Sequence, residues 1–359
     1  SFIIFTYMMK SKVFSIGVMS GTSLDGIDLV YVSFNEKNYK DFSIIHAETI
    51  PYAKEWKEFL KNAIYKDESQ LKELDTVYGK YLGQTIQNFI YNYKIDKIDF
   101  IASHGHTIFH EPEKGITLQI GNGKEIANIT KQKVVCDFRT QDVKLGGQGA
   151  PLVPIGDELL FSDYQYCINL GGFSNVSYQK DGQRIAFDIC PVNIVLNYYA
   201  NKLGFAYDES GKMAALGQIN QQVLQQLNDL SFYEKESPKS LGLEWVKSSV
   251  FPILEKSELD VKVVLSTFVE HIAIQISKVI INSSSVLFTG GGAYNAFLME
   301  RIAYHSKVEI NLPKETLIDF KEALIFSFLG LLKLKGEINC LKSVTGASKN
   351  HSSGVVFCP

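Results

Sequence analysis

The residues whose types and spacing can do chemistry are a strand-end carboxylate, three glycine-rich loops and a histidine cluster. Asp188 closes the segment Arg184 to Asp188 and runs into Cys190-Pro191-Val192-Asn193. A carboxylate at a strand end beside a proline turn can face a cleft and take a proton as general base. It can equally cap a turn or a helix. The run Ser20-Gly21-Thr22-Ser23-Leu24-Asp25-Gly26 is rich in small residues and backbone N–H groups. Such a loop can wrap a phosphate, with Asp25 available to a magnesium ion. The other reading is an ordinary hairpin turn. Gly171-Gly172-Phe173-Ser174-Asn175 has the same chemistry and the same two readings. Gly290-Gly291-Gly292 follows apolar Val286-Leu287-Phe288 and opens a helical pattern. Glycines there let the backbone approach a flat base or a ribose, and a helix N-terminus favours negative charge. The spacing is not the Gly-x-Gly-x-x-Gly of dinucleotide folds.

His104, His106 and His110 cluster. His-x-His puts two imidazoles on one face of a strand, as some metal hydrolases require. No suitably spaced partner set stands out, which favours ligand contacts or structural hydrogen bonds. Arg139 and Lys144 lie just before Leu145-Gly146-Gly147-Gln148-Gly149-Ala150-Pro151. They can hold a substrate carboxylate or simply face solvent.

The elements that must position these groups alternate strands with helices. Phe14, Ile16 and Val18 alternate before the first glycine loop, and Ile27, Leu29 and Tyr31 alternate after it. That predicts a hairpin over Val13 to Phe34. Tyr166 to Ile189 predicts a second of the same build, so the chain reads as a duplicated architecture with two related lobes. Apolar spacing of three and four predicts helices in EWKEFLKNAIY, LKELDTVYGKYLGQTIQNFIYNY and EALIFSFLGLLKLKG. Strands alternating with helices indicate an α/β fold.

Composition narrows the function classes. At roughly 150 residues per domain, 359 residues make about two domains. Hydrophobic residues make up 45%, enough for a sizeable core. A net charge of -3 argues against nucleic-acid and anionic-membrane partners, which need a basic face. Five cysteines without a Cys-x-x-Cys pair fit a reducing cytoplasm better than a disulfide framework. No apolar run approaches the roughly 20 residues of a membrane span. SFIIFTYMM makes a poor signal peptide and reads as an extension ahead of a start at Met8 or Met9.

Read in order, IGVMSGTSLDGID, HGHTIFHEP, LQIGNG, DFRTQDVKLGGQGAPLVP, NLGGFSN, PKSLG, TGGGAYNAFLM and VTGA resemble the anhydro-N-acetylmuramic acid kinase family from about residue 14 onward. The resemblance implies a two-lobed, actin-like (ribonuclease H-like) ATPase fold. Each lobe is a mixed sheet flanked by helices, with ATP in the cleft between them. The expected division is 10–135, returning with about 340–359, for one lobe and 136–339 for the other. The implied reaction opens the 1,6-anhydro ring of the sugar with water and phosphorylates the freed 6-oxygen from ATP. A same-fold kinase of another amino sugar, or a nucleotide-binding regulator, is the alternative.

The resemblance carries roles onto particular residues. The family's base is the Asp of an Asp-Thr-Gly-Pro-Gly-Asn-like motif, which falls on Asp188; a helix glutamate near the same water falls on Glu322. Ser20, Gly21, Thr22, Ser23, Asp25, Gly26, Gly171, Gly172 and Asn175 would hold phosphates, with Asp25 toward Mg2+. Gly290, Gly291 and Gly292 would border the adenosine. His104, Arg139, Gln148 and Asn193 would contact the sugar. A homodimer in the cytoplasm is implied as well. Ile189, Cys190 and Val192 depart from the motif, losing a Thr and two glycines. Asn122 stands where the family often has Asp, and Phe320-Lys321 replaces smaller or more acidic residues before Glu322.

Overall fold

A computed structural model describes residues 12–21, 24–280 and 285–359. Met8 and Met9, Thr22 and Ser23 lie outside the described residues. The chain divides into two compact units, Ser1–Leu160 with Phe320–Pro359, and Phe161–Asp319.

The first unit opens with an antiparallel meander of β1 (Lys12–Ser20), β2 (Gly26–Asn35) and β3 (Phe42–Pro51). Helices α1 (Lys54–Lys61) and α2 (Glu68–Asn92) follow. A capping box starts α2: Asp67 accepts from the Gln70 N–H, and the Gln70 side chain accepts from the Asp67 N–H. Then come β4 (Phe100–Ser103), the ribbon β5 (His106–Glu111) and β6 (Ile116–Ile120), α3 (Gly123–Thr130) and β7 (Val134–Cys136). The sheet order is β12-β7-β4-β1-β2-β3, with β12 at Val355–Phe357. Strands β1, β4 and β7 run parallel. Both faces of β1 are covered, so its burial does not alternate. On one face Leu74, Tyr78, Leu82, Ile86 and Phe89 of α2 pack with Ile16 and Val18. On the other lies the latter part of a long C-terminal helix, where a Cβ on Gly17 would stand 2.2 Å from the Ala323 carbonyl oxygen.

The second unit repeats the plan. β8 (Tyr166–Leu170), β9 (Phe173–Lys180) and β10 (Gln183–Pro191) form an antiparallel meander, and β11 (Val286–Thr289) joins β8 in parallel. The order β10-β9-β8-β11 matches β3-β2-β1-β4 strand for strand. The duplication expected from the two hairpins is therefore a duplication of sheet topology. Helix α6 (Asn193–Lys202) leaves β10, and α7 (Val261–Ile280) supplies the core through Phe268, Ile272 and Ile276. By length and composition α7 is apolar enough to cross a membrane, but 78% of its most apolar window is buried inside the protein. Helix α8 (Ala296–Ser306) follows β11, and α9 (Glu315–Lys335) carries the chain back to the first unit.

The unit boundaries fall at 160/161 and 319/320 instead of the expected 135/136 and 339/340. Two contacts explain the difference. Gly17 and Ser15 hold α9 directly on β1, with Ser15 Oγ 2.7 Å from Ser327 Oγ. Asp142, in α4 (Thr140–Lys144), ties its segment to Cys340, Thr345 and His351. Helix α5 (Pro154–Leu160) completes the first unit's portion of the chain before the crossing.

Candidate active site

In the second unit, register places four polar residues in one row. Asp188 on β10 pairs with Asn175 on β9, Asn175 with Asn169 on β8, and Asn169 with Thr289 on β11. Directly paired residues share a face, so a carboxylate, two amides and a hydroxyl stand side by side. A bulge between Asp188 and Cys190 then turns the strand. Asp188 is half-buried, and burial raises its carboxyl above the usual carboxylate range. The Leu241 N–H opposes that shift by donating to Oδ2 at 2.8 Å. Asp188 is thus a carboxylate of raised basicity with one oxygen already fixed, not a helix cap: α6 begins at Asn193 behind Val192.

The second glycine loop is locked to the start of α6. The Val192 and Ile194 N–H groups donate to the Gly172 carbonyl at 2.8 and 3.2 Å, and the Asn193 N–H to that of Gly171 at 3.2 Å. Asn193 spends its amide N–H on the Leu170 carbonyl at 3.3 Å. Ile189, Cys190 and Val192, the departures from the motif, are all buried in the second unit's core. Val192 has φ −129° and ψ −99°, outside the left-handed region that favours glycine. The bulk added there is packed into that core.

Two of the three glycines at 290–292 have packing reasons. Gly290 has φ +82°, and a Cβ on it would lie 2.6 Å from Asn169 Oδ1. A Cβ on Gly292 would lie 2.8 Å from that of Leu170. Gly291 is exposed, and a Cβ there would meet nothing nearer than Asn193 Nδ2 at 3.9 Å. The glycines do open a helical turn, a 3-10 helix over Gly291–Tyr294, and α8 follows from Ala296, with Asn295 Oδ1 accepting from the Leu298 N–H at 2.9 Å.

In the first unit, Ser20 at the end of β1 is buried and spends its hydroxyl internally. It bonds to Tyr52 at 2.6 Å, Tyr78 at 2.9 Å and His106 Nδ1 at 3.1 Å. Burial keeps both tyrosines protonated and lowers His106 to about 4. Asp25 is exposed at the turn, and Gly21 accepts from the Leu24 N–H at 3.4 Å.

His104 follows β4, and Arg139 follows β7. Arg139 Nε donates to His104 Nε2 at 3.0 Å, so His104 carries its proton on Nδ1 and donates to the Gly105 carbonyl at 2.8 Å. Burial, and then the guanidinium beside it, hold His104 well below its usual pKa. Arg139 Nη1 also donates to the Gly149 carbonyl at 2.7 Å. Gln148 is exposed beside it, its N–H donating to the Thr345 carbonyl at 2.8 Å. Next to His104 lies a cavity of about 200 Å³ lined by Asp75, Gln119, Asn122, Asp137 and Thr140 among others. Asn122 caps α3 and donates to Asp75 Oδ2 at 2.9 Å. An Asp at 122 would set two carboxylates against each other, which accounts for the amide.

Glu322 lies on α9 with its side chain reaching solvent. Crowding by surrounding protein raises its carboxyl; Arg139 and Lys321 oppose the shift, and Asp28 adds to it. Lys321 turns inward to a buried ion pair with Asp157 of α5 at 2.6 Å, which anchors α9 beside Glu322. Asp28, Asn169 and Asp142 are the polar residues that motif reading passed over. Asp28 sits inside the MSGTSLDGID run and Asn169 just before the second glycine pair, so proximity to motifs was their signal.

The histidines at 104, 106 and 110 do not form a metal site among the described residues. The group close enough to share an ion is Asp142, Cys340 and His351, all buried, with ligand atoms within 4.8 Å. It reads as a hydrogen-bond hub. Asp142 already accepts from Cys340, Thr345, His351 and the Gly149 N–H. A metal-bound imidazole also normally donates its other N–H, and among the described residues His351 Nδ1 has no partner.

Fold and site together define a two-unit α/β protein that sets glycine-rich turns beside a carboxylate of raised basicity. The family model for anhydro-N-acetylmuramic acid kinase matches residues 13–359. The kinase of that name from Aliivibrio fischeri is 34% identical over 95% of this chain and 98% of its own. That from Pseudomonas savastanoi is 32% identical over 96% and 99%. This chain belongs to the anhydro-N-acetylmuramic acid kinase family. Among solved structures, the (R)-2-hydroxyglutaryl-CoA dehydratase component A of Acidaminococcus fermentans aligns with a TM-score of 0.46 at 13% identity, over 88% of this chain and 96% of that one.

Proposed function

We propose that this protein opens the ring of 1,6-anhydro-N-acetylmuramic acid with water and phosphorylates the freed oxygen from ATP, giving N-acetylmuramic acid 6-phosphate. The observation that carries the mechanism is Asp188, raised in basicity by burial and with Oδ2 held by the Leu241 N–H. Water attacks the anomeric carbon as Asp188 takes its proton. The bond from that carbon to the 6-oxygen breaks, and the 6-oxygen bonds to the γ-phosphorus as ADP leaves. Glu322, whose carboxyl is raised as well, is the second carboxylate that the family resemblance implies for this step.

Arg139 is the cation for the sugar's lactyl carboxylate, with His104, Gln148 and Asn193 as further sugar contacts. Gly171, Gly172 and Asn175 would meet phosphates, and the face at Gly290, Gly291 and Gly292 the adenosine. Ser20, Gly21, Thr22, Ser23 and Gly26 would meet phosphates as well. Asp25, exposed at that turn, fits a contact to hydrated Mg2+, which would neutralise charge on the transferring phosphoryl group. ATP as co-substrate and five free cysteines suit the cytoplasm. A homodimer is the expected assembly, read out by light scattering.

The test is incubation with ATP, Mg2+ and the anhydro sugar in ¹⁸O-labelled water, followed by mass spectrometry. Label belongs on the anomeric carbon and not on phosphate. Label in phosphate alone would mean plain ATP hydrolysis without ring opening.

A further inference from the structure

Asp188 lies on an edge strand, since the sheet order ends at β10. An edge strand's outward N–H groups lack sheet partners. At Asp188 that gap is closed by the segment Pro238–Gly242, which lies along the edge. The Asp188 N–H donates to the Lys239 carbonyl at 3.0 Å, and the Leu241 N–H returns to Asp188 Oδ2 at 2.8 Å. One bond fixes the backbone and the other aims the carboxylate.

The segment is itself pinned. The Lys239 ammonium lies 4.8 Å from the Phe232 ring centroid and 5.6 Å from that of Phe187, and donates to the Phe232 carbonyl at 3.4 Å. Next along, the Tyr233 hydroxyl meets His271 Nε2 of α7 at 2.8 Å. His271 Nδ1 faces Asn228 Oδ1 at 2.8 Å, and Gln275 Nε2 donates to that same oxygen at 2.7 Å. An amide oxygen only accepts, so Nδ1 carries the proton and Nε2 accepts from Tyr233. Burial pushes His271 down to about 3, which keeps this arrangement neutral.

We propose that Pro238–Gly242 is a positioning strap for Asp188, in which the Leu241 N–H occupies Oδ2 so that Oδ1 receives the proton, and Tyr233 on His271 anchors the strap. This rests on Asp188 being the base. Leu241 and Tyr233 are positioning residues. Of the titratable groups around it, Cys190 feels the Asp188 carboxylate and is kept protonated by burial, and the charge of Lys239 lies over the two phenyl rings. With the Leu241 donor gone, burial acts unopposed and Asp188 holds its proton to higher pH.

Three full-length variants test this by kcat against pH at saturating ATP, Mg2+ and anhydro sugar. Leu241→Pro deletes the donor and moves the acid limb up by about one pH unit. Tyr233→Phe moves it the same way by less. Leu241→Ala keeps the N–H and keeps the limb in place. Melting temperatures run alongside, and if Leu241→Pro does not fold, Tyr233→Phe decides. An acid limb that stays put in the folded variants, with only stability lowered, overturns the strap. Asp188→Asn separates the two readings. If it retains near-normal turnover, Asp188 is not the base; if it is inactive while the limbs do not move, only the strap falls.

Discussion

Replacing Asp142 by Asn should unsettle the first unit more than any other isosteric change there. Three donors converge on Oδ1: Cys340 Sγ at 3.0 Å, Thr345 Oγ1 at 2.8 Å and His351 Nε2 at 2.8 Å. A fourth, the Gly149 N–H, meets Oδ2 at 2.7 Å. Hydrogen bonds to a charged partner contribute about 1.5–3 kcal/mol each. Asn keeps one oxygen for the first three, now uncharged, and turns an NH2 against the Gly149 N–H. The lost bond and three weakened ones amount to about 3–5 kcal/mol. At about 2–4 °C per kcal/mol, the first unit should melt about 10 °C lower. Because the Gly149 carbonyl also accepts from Arg139, the sugar KM should rise as well. Burial alone would raise the Asp142 carboxyl, but its hydrogen bonds prevail and hold it below the usual range. Its contribution is therefore complete above about pH 4 and fades as pH falls through the depressed folded value. The gap between wild type and variant should narrow in acid. Thermal melts at pH 7 and pH 3 measure both effects. A variant melting within about 1 °C of wild type at pH 7 would refute the hub.

Arg139→Lys offers one ammonium where a fork now reaches His104 and Gly149, so one bond of about 1.5–3 kcal/mol is lost. Sugar KM should rise about 10- to 100-fold with ATP KM little changed, and steady-state kinetics with each substrate varied would show it; equal effects on both would contradict the assignment. Gly290→Ala must place a Cβ 2.6 Å from Asn169 Oδ1 at φ +82° and should cost more than about 1 kcal/mol of stability. Gly291→Val projects into open space, so it should leave melting within about 0.5 kcal/mol while weakening ATP binding, measured by calorimetry. Unchanged ATP affinity in the folded Gly291→Val variant would remove this residue from the nucleotide site.

Hairpins, glycine turns and the duplicated plan were legible because turn chemistry and alternation are local signals. β1 and β2 lose their alternation in burial, since helices cover both faces, yet their turn still marked them. The unit boundaries were not legible. They depend on Gly17 meeting Ala323 and on Asp142 meeting Cys340 and His351, contacts between residues far apart in sequence. The glycines at 290–292 carried a mixed message, because Gly290 and Gly292 serve packing and only Gly291 is open. Asp188 could be located from its motif, but its raised basicity could not. Burial raises it, while the Leu241 N–H, 53 positions away in sequence, opposes the rise and fixes Oδ2. Likewise Lys321 looked like an intruder beside Glu322 until its buried partner Asp157 was seen.

Turnover of Asp188→Asn tests the central claim most directly. Asn preserves the shape but cannot take a proton. Removing a positioned base typically lowers the rate about 10²–10⁴-fold, equivalent to roughly 3–5 kcal/mol of barrier. Production of N-acetylmuramic acid 6-phosphate should fall by that factor, with ATP affinity and melting temperature close to wild type. In the wild type, activity should rise with pH through a value above the ordinary carboxylate range, since burial raises the base. A folded Asp188→Asn protein that turns over at a near-normal rate would contradict the account and shift the role of base to Glu322.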